Sequence, residues 1–264
     1  MALEKELWDK ELQLKGPFSF RYDADNCIFK QKDDGRKSAG VYIWTIRSSV
    51  DKHYYIHYVG ESPNIAGRQL DHLISMLGLF YGAWDIAKAR QIELGMKWKP
   101  EDDEDAEQGK FGIIWEGLWR LRRQKSKKPI SDVDILGEYK RLHKTVIANV
   151  ENIDIFFANT KEFKKPEEPI GKEELKKNYL GYHWKRKHIE GSIADMLEAY
   201  PPEIRKNISA LYPRDNATGV SARMDLTLRI YFPTDPKDVV IMGLNHDREK
   251  VKFEGRREFV EIMI

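Results

Sequence analysis

The sequence predicts an α+β protein, and three observations carry that reading. Two runs rich in β-branched and aromatic residues, "GVYIWTI" at 40–46 and "HYYIHYVG" at 53–60, flank the polar turn "RSSVDK" and form a β-hairpin. Apolar residues recur at helical spacing directly after the hairpin and again through 82–149. Three further strand-like runs, "RMDLTLRIYF", "DVVIMGL" and "VKFEGRREFVEIMI", make the C-terminal part β-rich, with the makings of a small second sheet.

Taken in order, Leu3, Leu7, Trp8, Leu12 and Leu14 lie among charges and predict an amphipathic helix over residues 3–15 that Gly16 and Pro17 end. After the hairpin, Ser62 is the predicted N-cap, Pro63 suits the first helical position, and Ile65, Leu70, Leu73, Ile74 and Leu77 form an apolar stripe. Residues 82–149 read as a helical insertion, from "GIIWEGLWRLRR" and "ILGEYKRLHKTVIANV", with an exposed acidic loop at "EDDEDAE". "NIDIFFANT" at 152–160 is a strand, and the Lys/Glu/Pro-rich run after it is loop and short helix. A further helix begins near His188, turns Ile189, Ile193, Met196, Leu197 and Tyr200 to the sheet, and stops at Pro201 and Pro202. The chain thus divides into a helical lead-in (1–37), a first core segment (38–81), the insertion (82–149), a second core segment (150–216) and a β-rich C-terminal segment (217–264).

Composition bounds the chemistry. A hydrophobic fraction of 41% over 264 residues supports a sizeable core, while 33% charged residues give a heavily solvated surface. The single cysteine, Cys27, excludes an intramolecular disulfide and any multi-cysteine zinc site. No apolar run is long enough to span a bilayer, and "MALEKELWDKELQLKG" is too charged for a secretory signal, so a cytoplasmic protein is expected. With a net charge of only +2, a polyanion has to be met by a local patch. Two basic runs qualify: "RLRRQKSKK" at 120–128, which reads as a solvated helix face, and "YHWKRKH" at 182–188, whose Lys185, Arg186 and Lys187 stand beside aromatic neighbours and suit nucleic acid.

Gly40-Val41-Tyr42 on the first strand, Tyr58-Val59-Gly60 on the second, Arg68 eight positions after Gly60 and His72 four after Arg68 together resemble the GIY-YIG endonuclease family. The resemblance covers about residues 38–77 and 150–200. It implies a small three-stranded antiparallel sheet flanked by helices, and a metal-binding glutamate on a helix after the third strand, here Glu190 in "KHIEGSIADML". It implies a metal-dependent endonuclease using Mg2+ or Mn2+, with DNA as partner and RNA as the alternative polymer. In the family the first tyrosine or the helix histidine is implicated in activating water, which leaves Tyr42 and His72 as competing bases. Members often add an asparagine after the glutamate helix, for which Asn216 is preferred to Asn207. Many members carry a lysine where this chain has Glu61, so the cation has to come from elsewhere: Lys37, Lys52 or Lys187. The insertion and C-terminal strands set the chain apart from compact repair nucleases and point to a sequence-specific, restriction-type enzyme.

The residue types suit that chemistry independently. Phosphodiester hydrolysis needs a cation on the phosphate oxygens, a proton acceptor for water and, often, a metal that balances developing charge. Arg68 offers a bidentate fork and Glu190 a hard oxygen ligand. Arg68 and His72, at i and i+4, share a helix face, read here as opposite the Leu70, Leu73 and Leu77 stripe. Tyr42 is a base at neutral pH only if positive charge stabilises its phenolate, and Tyr58 orients the nucleophile or phosphate. Each residue alone has a bland alternative: Arg68 as a surface ion-pair partner, His72 as a solvated helix residue, Glu190 as a first-turn acid. Glu116 is a rival metal ligand, and Asp154 with Glu174 and Lys176 a rival acid-acid-lysine site. A different class of function, a non-catalytic nucleic-acid-binding module on the same fold, is the alternative reading.

Overall fold

The computed structural model describes residues 11–30, 38–47, 53–84, 113–115, 117–118, 133–160, 171–195, 226–235, 238–242, 244–245 and 247–263. The expected hairpin is there: β3 (Gly40–Arg47) runs antiparallel to β4 (Tyr54–Ser62), with Tyr42 opposite Gly60 and Trp44 opposite Tyr58. The third strand, β7 (Ile153–Asn159), pairs antiparallel with the other edge of β3. β2 (Lys15–Ser19) extends this sheet antiparallel to β7, and β9 (Ile241–Met242) joins β4 in parallel, so the order is β2-β7-β3-β4-β9. The central position of β3 explains why each residue from Gly40 to Ile46 is buried.

A second sheet gathers β1 (Glu11–Gln13), β8 (Thr227–Tyr231), β11 (Arg257–Met263) and β10 (Lys252–Glu254), in the order β1-β8-β11-β10. It meets the expectation of a C-terminal sheet in part: "DVVIMGL" does not join it, since its strand β9 pairs with β4 in the first sheet, and β1 and β10 are added. The final run splits into the β10/β11 hairpin, turned at Gly255 with φ 61°, and the N-terminal segment contributes β1 in parallel with β8. Described residues of the predicted N-terminal helix are therefore strand. Leu12 and Leu14 are two apart, so in an extended chain both point the same way, into the core between the sheets.

The helices differ from expectation in their bounds. The insertion's strongest helical run is α2 (Ile135–Glu151), capped by Asp134, but Ile113–Trp115 is the strand β6, paired with β5 (Ala83–Trp84). Instead of a loop, a short helix and a new start near His188, one helix of 24 residues, α3 (Lys172–Asp195), carries Glu190 well inside it. Its Ile189 and Ile193 pack with Val41, Ile43, Phe156 and residues of the second sheet in one apolar cluster. On the opposite sheet face, Ile65 and Met76 of α1 (Ile65–Leu77) and Val150 of α2 join Tyr42, Trp44, Ile155 and Phe157. The product is an α+β fold whose main sheet is covered on both faces. No helix among the described residues is long and apolar enough to cross a membrane.

Candidate active site

The site is built where β3, β4, α1 and α3 converge. Tyr42 is fully buried, and its ring lies across Gly60 of the neighbouring strand. A Cβ at Gly60 would stand 2.4 Å from both Cζ and Oη of Tyr42, so only glycine admits the ring there. Gly40 has a different task, since a Cβ there would stand 2.2 Å from the Ala158 carbonyl oxygen and wedge β3 from β7. Gly60 is thus a geometric requirement of the Tyr42 ring, and Gly40 of the close approach of β3 to β7.

α1 brings the next residues. Its N-cap is Asn64, whose Oδ1 accepts from the Gly67 amide at 3.1 Å; Ser62, the expected cap, ends β4 and accepts the Asn64 amide at 3.0 Å. The face α1 buries is Ile65, Gln69, His72 and Met76, whereas Leu70, Ile74 and Leu77 are exposed. This corrects the expected orientation: His72 points into the sheet, while of the expected stripe Leu70, Ile74 and Leu77 point out and only Ile65 and the partly buried Leu73 pack against the core. The sheet opposite explains the reversal, because it presents polar aromatics that an aliphatic stripe cannot satisfy. Trp44 Nε1 donates to Gln69 Oε1 at 2.7 Å, and Tyr42 Oη lies 2.6 Å from His72 Nε2. His72 Nδ1 lies 2.8 Å from Tyr81 Oη. Arg68 is exposed at the rim, with its positive charge acting on Tyr42, and the half-buried Tyr58 ring lies 6.0 Å from the Tyr42 ring, centroid to centroid.

From α3, Glu190 reaches the same place, 4% exposed. Lys187 Nζ is 2.8 Å from Glu190 Oε2 and 3.8 Å from Glu61 Oε1. Arg186 Nε donates to Glu61 Oε2 at 2.8 Å, and His183 Nδ1 is 3.5 Å from the same carboxylate. Two carboxylates are therefore linked by one ammonium, and among the described residues both Lys187 and Arg186 stand at Glu61, the position where the family resemblance implies lysine. Lys185 and Arg186 are buried, at 2% and 3% exposure, rather than forming an outward strip with Lys187. Burying an arginine requires a partner, and Glu61 is that partner. Trp184 alone of this run's centre is well exposed.

Burial and charge set the protonation of the cluster. Burial pushes the Tyr42 phenol well above its ordinary range, with the Tyr58 oxygen adding to the rise and Arg68 opposing it. Burial, then Arg68, holds His72 down to about 3, so its ring is neutral at pH 7. Glu190 is raised by burial, and Lys187 pulls against that rise. Tyr58 is raised by burial and next by Glu190, which places the glutamate's charge at the tyrosine pair.

Tyr42, Tyr58 and His72 are in direct contact, Arg68 acts on Tyr42 through its charge, and Glu190 from α3 is linked to Tyr58 and Arg68 through charge. Asn216, Asn207, Glu116, Lys37, Lys52 and the basic run 120–128 lie outside the described residues. Of the rival set, Asp154 faces Thr45 across β3 and β7, raised to about 6 by burial, while Glu174 and Lys176 are exposed in the first turns of α3. Two neighbours of the site were not among the expected site residues. Tyr81 lies nine residues past His72, beyond the helix end, where no periodicity reports contact; Glu61 was visible only as a departure from lysine. No family model matches the chain, and neither a curated protein nor a solved structure matches it at a significant level.

Proposed function

We propose that this protein is a metal-dependent endonuclease of the GIY-YIG type that hydrolyses phosphodiester bonds in DNA, and that its extra elements serve sequence-specific cutting. The observation that carries the reading is the Tyr42–His72 hydrogen bond of 2.6 Å inside a cluster with Tyr58, Arg68 and Glu190. Gathering these polar side chains is costlier than an apolar core would be, and each member has a task in phosphoryl transfer. The antiparallel trio β7-β3-β4, flanked by α1 and α3, supports the same reading at the level of the fold.

The proton path follows from the donors and acceptors. Water attacks phosphorus and gives its proton to Tyr42 Oη, while the phenol passes its own proton to the neutral His72 ring; a P–O bond forms, the bond to the leaving oxygen breaks, and that oxygen takes a proton from solvent. At rest the phenol keeps its proton, because its acidity is suppressed and His72 is a weak base. The arriving phosphodiester brings negative charge to this pocket and raises the affinity of His72 for a proton. Tyr42 and His72, expected as competitors, are assigned consecutive steps. Arg68, exposed at the rim, holds the non-bridging oxygens.

The donor set fits a hard divalent cation. Glu190 offers carboxylate oxygens and Glu61 stands across Lys187, an arrangement in which an ammonium already balances two acids. Among the described residues no group of three or more His, Cys, Asp or Glu side chains gathers as a ligand set, so Glu190 would hold Mg2+ or Mn2+ with water and phosphate completing the shell. Bound there, the cation would offset charge that develops on the phosphate.

The test is plasmid cleavage with Mg2+ or Mn2+ and with chelator, beside Glu190→Gln. Metal-dependent cutting by the wild type and none by the variant, with DNA binding retained, is the expected result. DNA binding without cutting by the wild type would favour a non-catalytic binding module, and equal cutting by the two proteins would remove Glu190 from the site.

A further inference from the structure

His72 is bracketed by two phenols, Tyr42 Oη at 2.6 Å from Nε2 and Tyr81 Oη at 2.8 Å from Nδ1. A neutral imidazole carries one ring proton, so one nitrogen donates and the other accepts. Which nitrogen donates decides whether Tyr42 can hand over its proton, since an Nε2–H ring has no lone pair to receive it. We propose that Tyr81 is a positioning residue that fixes His72 as the Nδ1–H tautomer and keeps Nε2 open to the proton of Tyr42. Its use in catalysis rests on the nuclease reading above; the tautomer itself does not.

The surroundings of the two phenols differ in the direction this requires. The Arg68 cation acts on Tyr42, and positive charge near the oxygen makes that O–H the stronger donor. The shorter of the two contacts is the one at Tyr42, as expected where a phenol donates to a ring nitrogen. Tyr81 is only part-buried, so its oxygen can accept Nδ1–H while its own proton turns outward. In the opposite tautomer Tyr81 would donate inward and Tyr42 would accept from Nε2–H, against the Arg68 charge, which weakens its oxygen as an acceptor.

The chain is shaped to return Tyr81 to this point. α1 is capped by Gly78, and Leu79 takes a left-handed backbone, φ 61°, that a bulky side chain seldom adopts. Leu79 is nonetheless buried, and its carbonyl accepts both the Leu118 amide at 2.9 Å and Trp115 Nε1 at 2.9 Å. Gly117, φ 86°, closes the other side: a Cβ there would stand 2.6 Å from the Phe80 carbonyl oxygen and the Tyr81 carbonyl carbon. The inserted strand β6 and the residues after it thus brace the turn that presents Tyr81, which gives part of the insertion a role in positioning the histidine.

The experiment reads the tautomer by 15N NMR of histidine-labelled protein, with His72 assigned among the 7 histidines by its loss in His72→Gln. In the wild type at pH 7, a protonated Nδ1 and an unprotonated Nε2 are expected. Tyr81→Phe leaves Nδ1–H with no acceptor and should shift the ring toward Nε2–H, with cleavage slowed roughly tenfold or more and DNA affinity unchanged. An Nε2–H ring in the wild type overturns the proposal, as does an unchanged ring in Tyr81→Phe; should that variant not fold, the wild-type spectrum decides alone. A wild type with the expected tautomer that cuts no DNA under any metal would sink the nuclease reading and leave the tautomer lock standing.

Discussion

Tyr42→Phe removes one hydroxyl and keeps the ring over Gly60, which makes it the sharpest single substitution in the protein. The lost hydroxyl leaves the buried His72 Nε2 without its phenol partner, a cost of about 1–3 kcal/mol that shows as a melting point lower by several degrees. If the phenol relays the proton of attacking water, cleavage should fall on the order of a hundredfold or more, far beyond what partial unfolding at 25 °C explains. Rates near wild type would return Tyr42 to the core. Gly60→Ala probes the same ring from the other strand. Its Cβ collides with Cζ and Oη at 2.4 Å, so Tyr42 has to leave its position, and the variant should lose both stability and cutting. Measuring the melting temperature and the single-turnover rate together tells the two effects apart.

At the scale of elements, the Glu61–Arg186 pair ties α3 to the end of β4 and so sets where Glu190 sits. Both side chains are buried, 9% and 4% exposed, and removal of one partner leaves the other charge inside without compensation. Glu61→Gln and Arg186→Ala should each destabilise the protein by about 3 kcal/mol, read in urea denaturation, and the Glu61→Gln, Arg186→Ala double variant should lose less than the sum. Lys187→Ala touches a more exposed ion pair and should cost well under that. If all three cost the same, the pair does not hold the helix. The same burial means that replacing Lys185, Arg186 and Lys187 together should lower stability, and not merely flatten the salt dependence of DNA binding.

Across the whole molecule, stability should depend on pH through a few buried groups whose signs differ. His57, held down to about 4, and His72, about 3, ordinarily titrate near 6.5. Between those values the unfolded chain binds protons that the folded one refuses, so stability rises with pH from about 3 to 6.5 and is lost as the solution is acidified through that window. Asp154 acts oppositely. Raised from 3.8 to about 6 by burial, it is protonated in the fold where the unfolded chain is ionised, so stability falls as pH rises from 3.8 to 6. Asp154→Asn should therefore raise the melting temperature by a few degrees at pH 7 and give no such gain at pH 3.5. A gain of equal size at both pH values would remove buried charge as its cause.

What the sequence determined was local. β-branched and aromatic density fixed β3, β4 and β7, helical spacing fixed α2, and the order of Tyr42, Tyr58, Arg68, His72 and Glu190 was readable because each stands on an element whose period is set within a few residues. The errors came where a local signal had two solutions that only contacts remote in the chain could separate. Leu12 and Leu14 serve a helix or a strand equally well, and the hydrogen-bonding strand β8, more than 200 residues onward, chose the strand. Lys185 and Arg186 look solvated until Glu61 arrives from another element to neutralise the latter. The face of α1 was decided in the same way: its own leucines favour burial by hydrophobicity, but buried Trp44 N–H and Tyr42 O–H groups cost more if left without partners than exposed aliphatic side chains do, so Gln69 and His72 turned inward. Tertiary structure alone brought Tyr81 to His72, since the turn that returns it depends on Trp115, Gly117 and Leu118, and no periodicity records a contact made across an insertion.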